Sequence, residues 1–469
     1  MLKICVVGTG YVGLVTGTCL AEMGHDVLCV DTHAEKIARL SKGDIPIYEP
    51  GLDAIVADNV AAGRLAFSTD ITSVLAWETL VLFFAIGTPT AADGPHADVG
   101  PLRNAVLQAA RARAERGYGG FIVFVIKSTV PVGTCARLDA EVARWLPRES
   151  YAIVSNPEFL REGCAIEDFL APDRIVLGSS SPHGLALMRR VYAPLTTRGY
   201  RLLAFDTVET SEMIKYASNV FLATKIGLVN EFALLCEKVG ADVTDLAQGI
   251  GLDRRIGPAG LKAGPGFGGS CFPKDLRALV RIAEEAGGAM PIAEAVIASN
   301  ERQKRAMVAR VVERLGGDVR DLRIGVLGLS FKAGTDDVRE APAVTLIDEL
   351  IKAGARVVAF DPVAMQAFGR IVPDIELAAT AEDVFADAAA VVIVTEWPEF
   401  AALPFAELSS AMARPLVIDL RNHLDPAPLA ALGYEYLGLG HAASRADLLV
   451  EVEMELDGRP ERKAAIAAE

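Results

Sequence analysis

The sequence is poor in the features that mark several common classes of protein. Its 469 residues include only six histidines and seven cysteines, and the cysteines form no CxxC pair and no regular spacing. An odd cysteine count without a framework excludes a disulfide-stapled secreted domain and indicates a reducing compartment. With so few histidines, none of them near the cysteine-bearing segment at residues 264–275, a metal site there is a poor interpretation.

Positive charge and long apolar runs are also scarce. The formal net charge is -15, whereas a nucleic-acid surface needs a net basic stripe, so we expect no nucleic-acid partner. The longest apolar runs, such as "LVLFFAIG", are too short to cross a bilayer. The chain enters a strand directly at "LKICVVG" without an apolar leader. We therefore expect a cytoplasmic protein with no membrane partner.

The order of strand-like and helical segments predicts two α/β domains. Short β-branched runs alternate with helical stretches up to about residue 200 and again from about 306, which is typical of parallel, doubly wound sheets. Between them, one long helical pattern at 209–239 ends at Gly240. The predicted fold class is thus α/β, with two Rossmann-like domains joined by a central long-helix segment. The predicted boundaries are 1–200, 201–305 and 306–440, with a charged peripheral tail at 441–469.

A dinucleotide site is predicted at the first strand–helix turn. "GTGYVG" places Gly8, Gly10 and Gly13 in G-x-G-x-x-G register, where they permit a tight turn, close approach of a pyrophosphate and close helix packing. That motif alone is weak, because a structural glycine turn gives the same pattern. Asp31 ends the second strand about twenty residues on, where a carboxylate binds the ribose 2′-hydroxyl and repels a 2′-phosphate. NAD is therefore favoured over NADP, although Asp31 by itself fits a solvated loop carboxylate.

The second α/β domain begins with a degenerate copy of the same design. "RIGVLGLS" followed by a helix and "ARVVAFD" matches "KICVVGTG" followed by a helix and "DVLCVD", but most of the glycines are lost. A second dinucleotide there is not expected, and another nucleotide ligand stays open.

The segment "GPGFGGSCFPKD", residues 264–275, allows several interpretations. A disulfide is disfavoured by the compartment, and a phosphate loop lacks the lysine–serine ending of a P-loop. A nucleophilic thiol is a further interpretation. Pro273 suits a first helical turn, so Cys271 would precede a helix N-terminus, which favours the thiolate, and Lys274 would add positive charge. Asp275 would oppose the thiolate. A helix cap whose cysteine merely packs remains the structural alternative.

Other polar pairs are compatible with the thiol interpretation without deciding it. Lys215 and Asn219 stand four residues apart on the long helix. Glu158 and Glu162 also stand four residues apart, but behind an Asn-Pro turn. Both spacings are common on solvated surfaces. In "KSTVPVGT", Thr129 follows an apolar strand, where polar residues line the ligand crevice of open α/β sheets.

Taken in order, the motifs resemble one family. "GTGYVGLVTG", "GTPT", "KSTVPVGT", "NPEFLREG", "SEMIKYASN", "GPGFGGSCFPKD" and "GLSFKAGTDDVREAP" are similar to the UDP-glucose 6-dehydrogenase family of nucleotide-sugar dehydrogenases. The match runs from the first strand to about residue 440. The resemblance implies an NAD domain, a central helical dimerising segment and a C-terminal UDP-sugar domain.

The resemblance also implies a reaction and its residues. It implies the oxidation of UDP-glucose at C6 to a carboxylate with two NAD⁺, through a thiohemiacetal and a thioester on Cys271. Glu158 would assist the hydrolytic water, Lys215 would stabilise the oxyanion, and Asn219 would donate hydrogen bonds. Asp275 would position water or assist proton transfer, and Thr129 would order the water near the nicotinamide.

Binding residues follow from the same resemblance. The implied cofactor contacts are Gly8, Gly10, Tyr11, Val12, Gly13, Asp31, Lys36, Thr88, Thr129, Glu162, Lys274 and Arg339. The implied substrate contacts are Glu158, Phe159, Leu160, Lys215, Asn219, Arg255, Lys262, Phe267, Gly268, Phe331, Lys332 and Arg421. Arg255 would reach the substrate of a neighbouring subunit, so a homodimer or higher homo-oligomer is expected. Arg421 stands in a weak motif, "DLRN".

Three alternatives stay open from the sequence. The same chemistry could act on GDP-mannose or UDP-N-acetylmannosamine, since base and sugar specificity depend on the shape of a pocket. A two-electron hydroxyacid dehydrogenase shares the fold class but needs no thiol. A non-catalytic NAD- and UDP-binding scaffold is the third class.

Overall fold

The computed structural model describes residues 1–91, 94 and 97–441. The described chain forms two compact units. Unit 1 comprises Met1–Phe221, Ser270–Glu294 and Ala333–Asp337, and unit 2 comprises Leu222–Gly269, Ala295–Lys332 and the chain from Val338 onward. The predicted tail falls, apart from His441, outside the described residues, and the predicted domain boundaries stay predictions.

Unit 1 is built on an eight-stranded sheet. Its strands are β1 (Lys3–Val7), β2 (Asp26–Val30), β3 (Leu65–Ser68), β4 (Thr79–Phe84), β5 (Phe121–Ile126), β6 (Tyr151–Ser155), β7 (Ile175–Gly178) and β8 (Leu202–Phe205). They lie in the order β3-β2-β1-β4-β5-β6-β7-β8. The predicted parallel sheet is confirmed except at one junction, where β6 and β7 pair antiparallel through Ser155 and Gly178.

The helices of unit 1 cover both faces of that sheet, as its apolar strands require. They are α1 (Tyr11–Glu22), α2 (Ala34–Leu40), α3 (Leu52–Ala61), α4 (Gly100–Glu115), α5 (Thr134–Val142), α6 (Ala165–Leu170), α7 (Pro182–Val191) and α8 (Ala193–Thr196). Two separate apolar clusters result. One contains Ile4, Val6 and Phe83, and the other contains Leu82, Phe84 and Phe124. Successive residues of the central strands thus point to opposite faces of the sheet and pack into different apolar clusters.

The long central helix α9 spans Val208–Val239, and the prediction that it ends at Gly240 is confirmed by that residue's φ of +75°. Among the described residues, α9 alone is long and apolar enough to cross a membrane by length and composition, a weak signal that core helices also give. Its first part belongs to unit 1 and its second part to unit 2.

Three further helices complete the central segment, and unit 2 carries its own sheet. The helices are α10 (Val243–Gly251), α11 (Phe272–Glu285) and α12 (Pro291–Arg314). The strands are β9 (Arg323–Leu327), β10 (Arg356–Phe360), β11 (Glu376–Leu377), β12 (Ala390–Ile393), β13 (Leu416–Asp419) and β14 (Glu435–Gly438). They pair in parallel in the order β11-β10-β9-β12-β13-β14. The remaining helices are α13 (Pro342–Lys352), α14 (Met365–Gly369), α15 (Phe405–Leu408) and α16 (Pro426–Ala431).

The predicted repeat of the two βαβ designs is visible in their first turns. Gly8 after β1 and Gly328 after β9 have φ values of +97° and +93°. Their backbone N–H groups donate to the last residues of β2 and β10, Val30 (2.8 Å) and Phe360 (2.9 Å). The two turns therefore share one backbone geometry, although their sequences have diverged.

Candidate active site

The glycine turn between β1 and α1 has the shape that a pyrophosphate requires. A Cβ at Gly8 would lie 2.6 Å from the Ala85 carbonyl oxygen, and one at Gly13 would lie 1.8 Å from the Gly8 carbonyl oxygen. Both positions therefore need glycine because of the chain's own backbone. Gly10 differs, since no heavy atom lies within 4 Å of its would-be Cβ. That open space, at the N-terminus of α1, is where a phosphate can approach the backbone.

Asp31 closes this turn from the end of β2. Its carboxylate accepts from the Thr9 backbone N–H (2.9 Å), the Thr9 hydroxyl (2.8 Å) and the His33 N–H (3.0 Å), and it pairs with Lys36 at 2.9 Å. Burial disfavours its charge, but Lys36 and the three donors outweigh burial and hold the pKa well below its usual range. Asp31 is thus a fixed anion, and the alternative of a solvated loop carboxylate is wrong.

These residues fit NAD. The open Gly10, the free N-terminus of α1 and the charged Asp31 supply the contacts of a pyrophosphate and a ribose, respectively. In unit 2 the matching Asp361 is fully buried and accepts from the backbone N–H of Leu329 (2.8 Å) and the Trp397 indole N–H (3.1 Å). Its carboxylate is held by donors inside unit 2, and the prediction of no second dinucleotide site stays a prediction.

The candidate thiol lies at the head of α11. Cys271 occupies the N-cap position and Pro273 the first turn, so the predicted place of the cysteine is confirmed. Its Sγ lies 3.5 Å from the Ser270 hydroxyl. Because the residue is only partly accessible, the surrounding charges decide whether it ionises.

The predicted thiolate environment is wrong in one respect. Burial raises the pKa of the Cys271 thiol, and the Glu158 and Asp275 carboxylates raise it further, while Lys215 lowers it. Lys274, predicted to favour the thiolate, instead pairs with Asp275 at 2.6 Å. The thiol is therefore neutral in the free protein, and its cationic neighbour is Lys215.

A buried ion pair stands beside the thiol. The Lys215 ammonium donates to Glu158 Oε1 at 2.9 Å, and both side chains are buried. Glu158 Oε2 also accepts from the Leu160 N–H at 2.5 Å. Burial disfavours the charged forms of both groups, but each charge supports the other, so the pKa of Glu158 is lowered and that of Lys215 is raised. The surface interpretation of these two residues is wrong.

A second buried pair continues from the same helix. The Asn219 amide donates to Asp275 Oδ2 at 2.6 Å, while Lys274 donates to Oδ1. Asp275 is fully buried on α11. The i, i+4 spacing of Lys215 and Asn219 thus aims both side chains at acids, one before α6 and one on α11.

Further predicted residues of unit 1 lie in the loops after β4, β5 and β6 and at the start of α1. The Thr88 hydroxyl donates to the Thr129 carbonyl oxygen at 2.8 Å, joining the loops after β4 and β5. Glu162 accepts from the hydroxyls of Thr335 (2.7 Å) and Ser270 (3.4 Å). Tyr11 and Val12 open α1, and the Tyr11 hydroxyl donates to Glu49. Glu49 was missed by the sequence analysis because it stands in an irregular loop.

Phe159 and Lys127 complete the centre. Two cations lie near the Phe159 ring: the Arg174 guanidinium is 3.7 Å and the Lys215 ammonium 5.5 Å from the ring centroid. Lys127, directly after β5, is buried and was not among the predicted site residues. Its signal was available, since a lysine ends the apolar run "FIVFVIK".

In unit 2, amide side chains clamp the glycine-rich segment. The Phe267 N–H donates to the Asn300 oxygen (2.8 Å), and the Asn300 amide donates to the Phe267 carbonyl (2.9 Å). A Cβ at Gly268 would lie 2.4 Å from the Glu340 carbonyl oxygen. One at Gly269 would lie 3.0 Å from the Phe331 ring. The close approach that these glycines permit is thus, at those positions, to the chain itself.

Cationic residues gather next to that segment. Arg421 donates to the carbonyls of Val394 (2.8 Å) and Phe331 (3.0 Å) and pairs with Glu396 at 3.1 Å. Burial disfavours the Glu396 charge, but Arg421 and then Lys262 lower its pKa. Unit 2 thus brings Arg421, Lys262 and Phe331 together despite the weak motif around Arg421.

Three predicted residues of unit 2 make other contacts. The Lys332 ammonium lies 5.8 Å from the Phe331 ring centroid. The Arg339 carbonyl accepts from the Gly269 N–H at 2.8 Å. Arg255 stands apart: its side chain is 88% exposed and pairs only locally, with Asp253 at 2.5 Å. Within the described part of the chain, no group of three or more His, Cys, Asp or Glu side chains is arranged to hold a metal ion.

The fold and the site place the chain among α/β dehydrogenases whose first unit binds a dinucleotide. Three family models agree: the UDP-glucose/GDP-mannose dehydrogenase NAD binding domain matches residues 2–196, the central domain 209–302 and the UDP binding domain 325–426. The chain belongs to the UDP-glucose/GDP-mannose dehydrogenase family.

Individual relatives extend over nearly the whole chain. A UDP-glucose 6-dehydrogenase of Rhizobium meliloti is 48% identical over 441 residues, covering 94% of this chain and 99% of that protein. One of Pseudomonas aeruginosa is 42% identical, covering 94% and 97%. The structure is also similar to that of a UDP-glucose dehydrogenase from the archaeon Pyrobaculum islandicum, with a TM-score of 0.84 and 36% identity over 94% of this chain and 98% of that one.

Proposed function

We propose that the protein oxidises UDP-glucose to UDP-glucuronate at C6 in an NAD-dependent, four-electron reaction. The alcohol loses two hydrides and gains the oxygen of one water molecule. NAD⁺, held by the glycine turn, Asp31 and Lys36, would supply the hydride acceptor for each oxidation. The observation that carries the proposal is the Cys271 thiol beside the buried Lys215–Glu158 pair, because a two-electron oxidation of an alcohol needs no nucleophile.

Cys271 makes the second oxidation possible. The aldehyde formed first does not donate its hydrogen as a hydride until a nucleophile adds to the carbonyl carbon. Addition of the sulfur gives a thiohemiacetal, whose oxidation gives a thioester, and water then replaces sulfur and releases the acid. The neutral thiol of the free protein must lose its proton as the C–S bond forms.

The neighbouring groups suit these steps. The Lys215 ammonium stabilises negative charge on the C6 oxygen, with Asn219 supporting it as a hydrogen-bond donor. Glu158, charged at neutral pH, accepts a proton from the attacking water. Asp275, held by Asn219 and Lys274, positions water, and Thr129 lies in the loop after β5, where it orders water near the nicotinamide.

The proposed ligand contacts divide between the two units. In unit 1 the glycine turn, Asp31 and Lys36 hold the adenosine half of NAD, with Tyr11, Val12, Thr88, Glu162 and Lys274 along its path. In unit 2 the cluster of Arg421, Lys262, Lys332 and Phe331 holds the UDP moiety, supported by its positive charge. Arg339 is assigned to the cofactor. Phe159, Leu160, Phe267 and Gly268 line the substrate.

We also propose a cytoplasmic homodimer or higher homo-oligomer, with Arg255 serving the neighbouring subunit, and the domain division at about residues 200, 305 and 440. The exposed side chain of Arg255 and the exposed apolar residues of α9 support the assembly.

The experiment that tests the function is the amount of NADH formed per sugar nucleotide consumed. UDP-glucose should give two NADH, measured by absorbance, with UDP-glucuronate as the product. GDP-mannose and UDP-N-acetylmannosamine serve as comparison substrates. One NADH per sugar would exclude the four-electron reaction, and turnover of GDP-mannose without turnover of UDP-glucose would reject the proposed substrate.

A further inference from the structure

Lys127 is a buried cation that the proposed steps do not use. The residue is 5% exposed, and no residue in the described ranges accepts a hydrogen bond from its ammonium. The Phe169 ring centroid lies 5.7 Å away, too weak a contact to replace hydration. Burial of a lysine whose ammonium forms no hydrogen bond with the described residues is costly to the fold, so its presence at the end of β5 needs an explanation.

A small cavity adjoins Lys127. Its volume is about 50 Å³, room for a few water molecules. The charged or titratable side chains around Lys127 are Glu158 and Lys215 and, on the cavity wall, Asp168, Asp173, Arg174 and Tyr192. Asp168 is paired with Arg161 at 2.6 Å and Asp173 with Arg174 at 4.0 Å. Glu158 is paired as well, with Lys215, but it is the buried carboxylate of the three, whereas Asp168 is half-buried and Asp173 is exposed. Its charge is therefore the one least screened by water from Lys127.

The electrostatics of the pair agree with that assignment. Burial lowers the pKa of Lys127 to about 8, and Glu158 opposes this effect. Lys127 in turn is one of the groups that lower the pKa of Glu158. The Glu158 carboxylate thus interacts with two cations, with Lys215 in direct contact and with Lys127 at longer range.

We propose that Lys127 is a positioning residue: it keeps the Glu158 carboxylate charged and shares that negative charge, which leaves Lys215 able to stabilise charge on the reacting oxygen. The inference rests on the proposed function for the roles of Glu158 and Lys215. Under this proposal, the unfavourable free energy of burying Lys127 is tolerated because the reaction needs the charge, and the burial does not stabilise the fold.

A functional cost of this kind has a distinctive sign in stability. The pKa of Lys127 is about 8 in the folded protein against an ordinary 10.5, so its charge destabilises the fold below pH 8. The cost disappears as pH rises from about 8 to 10.5. Lys127→Met should therefore keep or raise the unfolding temperature at pH 7 and abolish the gain of wild-type stability between pH 8 and 10.5.

The kinetic test uses the full-length protein. Lys127→Met should lower kcat about tenfold at pH 7, change KM for UDP-glucose less than about threefold, and move the acid limb of kcat upward by a shift of about 0.3 pH unit. Lys127→Arg, which keeps the charge, should restore most of kcat. Lys3→Met is the matched control, because the Lys3 ammonium lies 5.2 Å from the Trp77 ring centroid and outside the site.

Two results would overturn the proposal. If Lys127→Met keeps the kcat of the wild type and the acid limb of its pH profile, the charge of Lys127 has no role in the reaction. A parallel fall of kcat and unfolding temperature, not restored by Lys127→Arg, would show that Lys127 serves packing. If Lys127→Met does not fold, Lys127→Gln takes its place in the same measurements.

A substrate-free cycle separates this inference from the function. The stability gained through Lys127→Met should be larger in a Glu158→Gln background than in wild type, because Glu158 offsets part of the buried charge. Equal gains would refute the link between the two residues. If the stability gains differ but the protein does not turn over UDP-glucose, the interaction between Lys127 and Glu158 is supported and the proposed function is rejected.

Discussion

At the scale of single residues, the proposed nucleophile is protonated and the proposed base is charged in the free protein. Burial and two carboxylates raise the pKa of Cys271, whereas Lys215 keeps the pKa of Glu158 low despite burial. The protein therefore avoids a free thiolate next to Glu158 and Asp275. Formation of the C–S bond and loss of the thiol proton are expected to occur together.

Replacement of the sulfur tests its covalent role. Cys271→Ser should reduce the release of UDP-glucuronate by at least about a hundredfold, since a serine hydroxyl is far less readily ionised than a thiol. UDP-glucuronate is measured by chromatography. Cys164→Ser, the same change at an exposed cysteine, is the control and should keep activity. Near-normal acid release by Cys271→Ser would reject the covalent mechanism.

The residues that sequence could predict are those defined by neighbours along the chain. Asp31 and the three glycines form one strand–turn–helix–strand unit, so their spacing suffices. The state of Cys271 could not be predicted in this way, because Lys274 is adjacent in sequence but pairs with Asp275, while the effective cation, Lys215, comes from α9. Lys127 was missed because burial, not a motif, makes it unusual.

At the scale of elements, strands buried on both faces were predictable and edge strands were not. The runs that form β4 and β5 are continuous apolar stretches. The missed strands β3, β8, β11 and β14 are short and mostly exposed or half-buried. The antiparallel junction between β6 and β7 has no local signature, since it depends on the path of the loop that carries Glu158 and α6.

One helix positions another through a buried acid. Glu212 on α9 accepts from the backbone N–H groups of Gly133 (2.6 Å) and Cys135 (2.8 Å), which open α5. Burial raises the pKa of Glu212 in spite of these donors. The contact ties the loop that contains Thr129 to the helix that carries Lys215.

Loss of this cap should cost stability. Glu212→Gln leaves a single acceptor oxygen and turns an amide N–H₂ towards donors, so the free energy of unfolding should fall by about 1–2 kcal/mol. Urea denaturation measures it. Glu209→Gln, one turn earlier and exposed, is the control and should change stability by less than about 0.5 kcal/mol. An unchanged midpoint for Glu212→Gln would contradict the capping role.

At the scale of the whole molecule, α9 leaves an apolar stripe uncovered. Phe221, Leu228 and Leu235 recur every seven residues and are exposed by 68%, 51% and 51%. A seven-residue spacing puts them on one face of the helix, as in the seam of paired helices. These exposed residues contribute to the apolar composition of α9, and in the proposed assembly they would pack against the same helix of a second copy.

Charge placed on that stripe should separate the copies. Phe221→Glu combined with Leu235→Glu would bury two carboxylates against their counterparts, which costs several kcal/mol per interface. The variant should elute as a monomer in light-scattering chromatography without detergent, whereas we expect the wild type to elute as a dimer or larger. Lys238→Glu, an exposed change on the same helix, should keep the assembly. Because Arg255 is assigned to the neighbouring subunit's substrate, the monomer should also lose turnover, whereas NAD binding, which is assigned to residues other than Arg255, should persist. A double variant that stays assembled would show that the subunits meet elsewhere, and a wild-type monomer would remove the assembly itself.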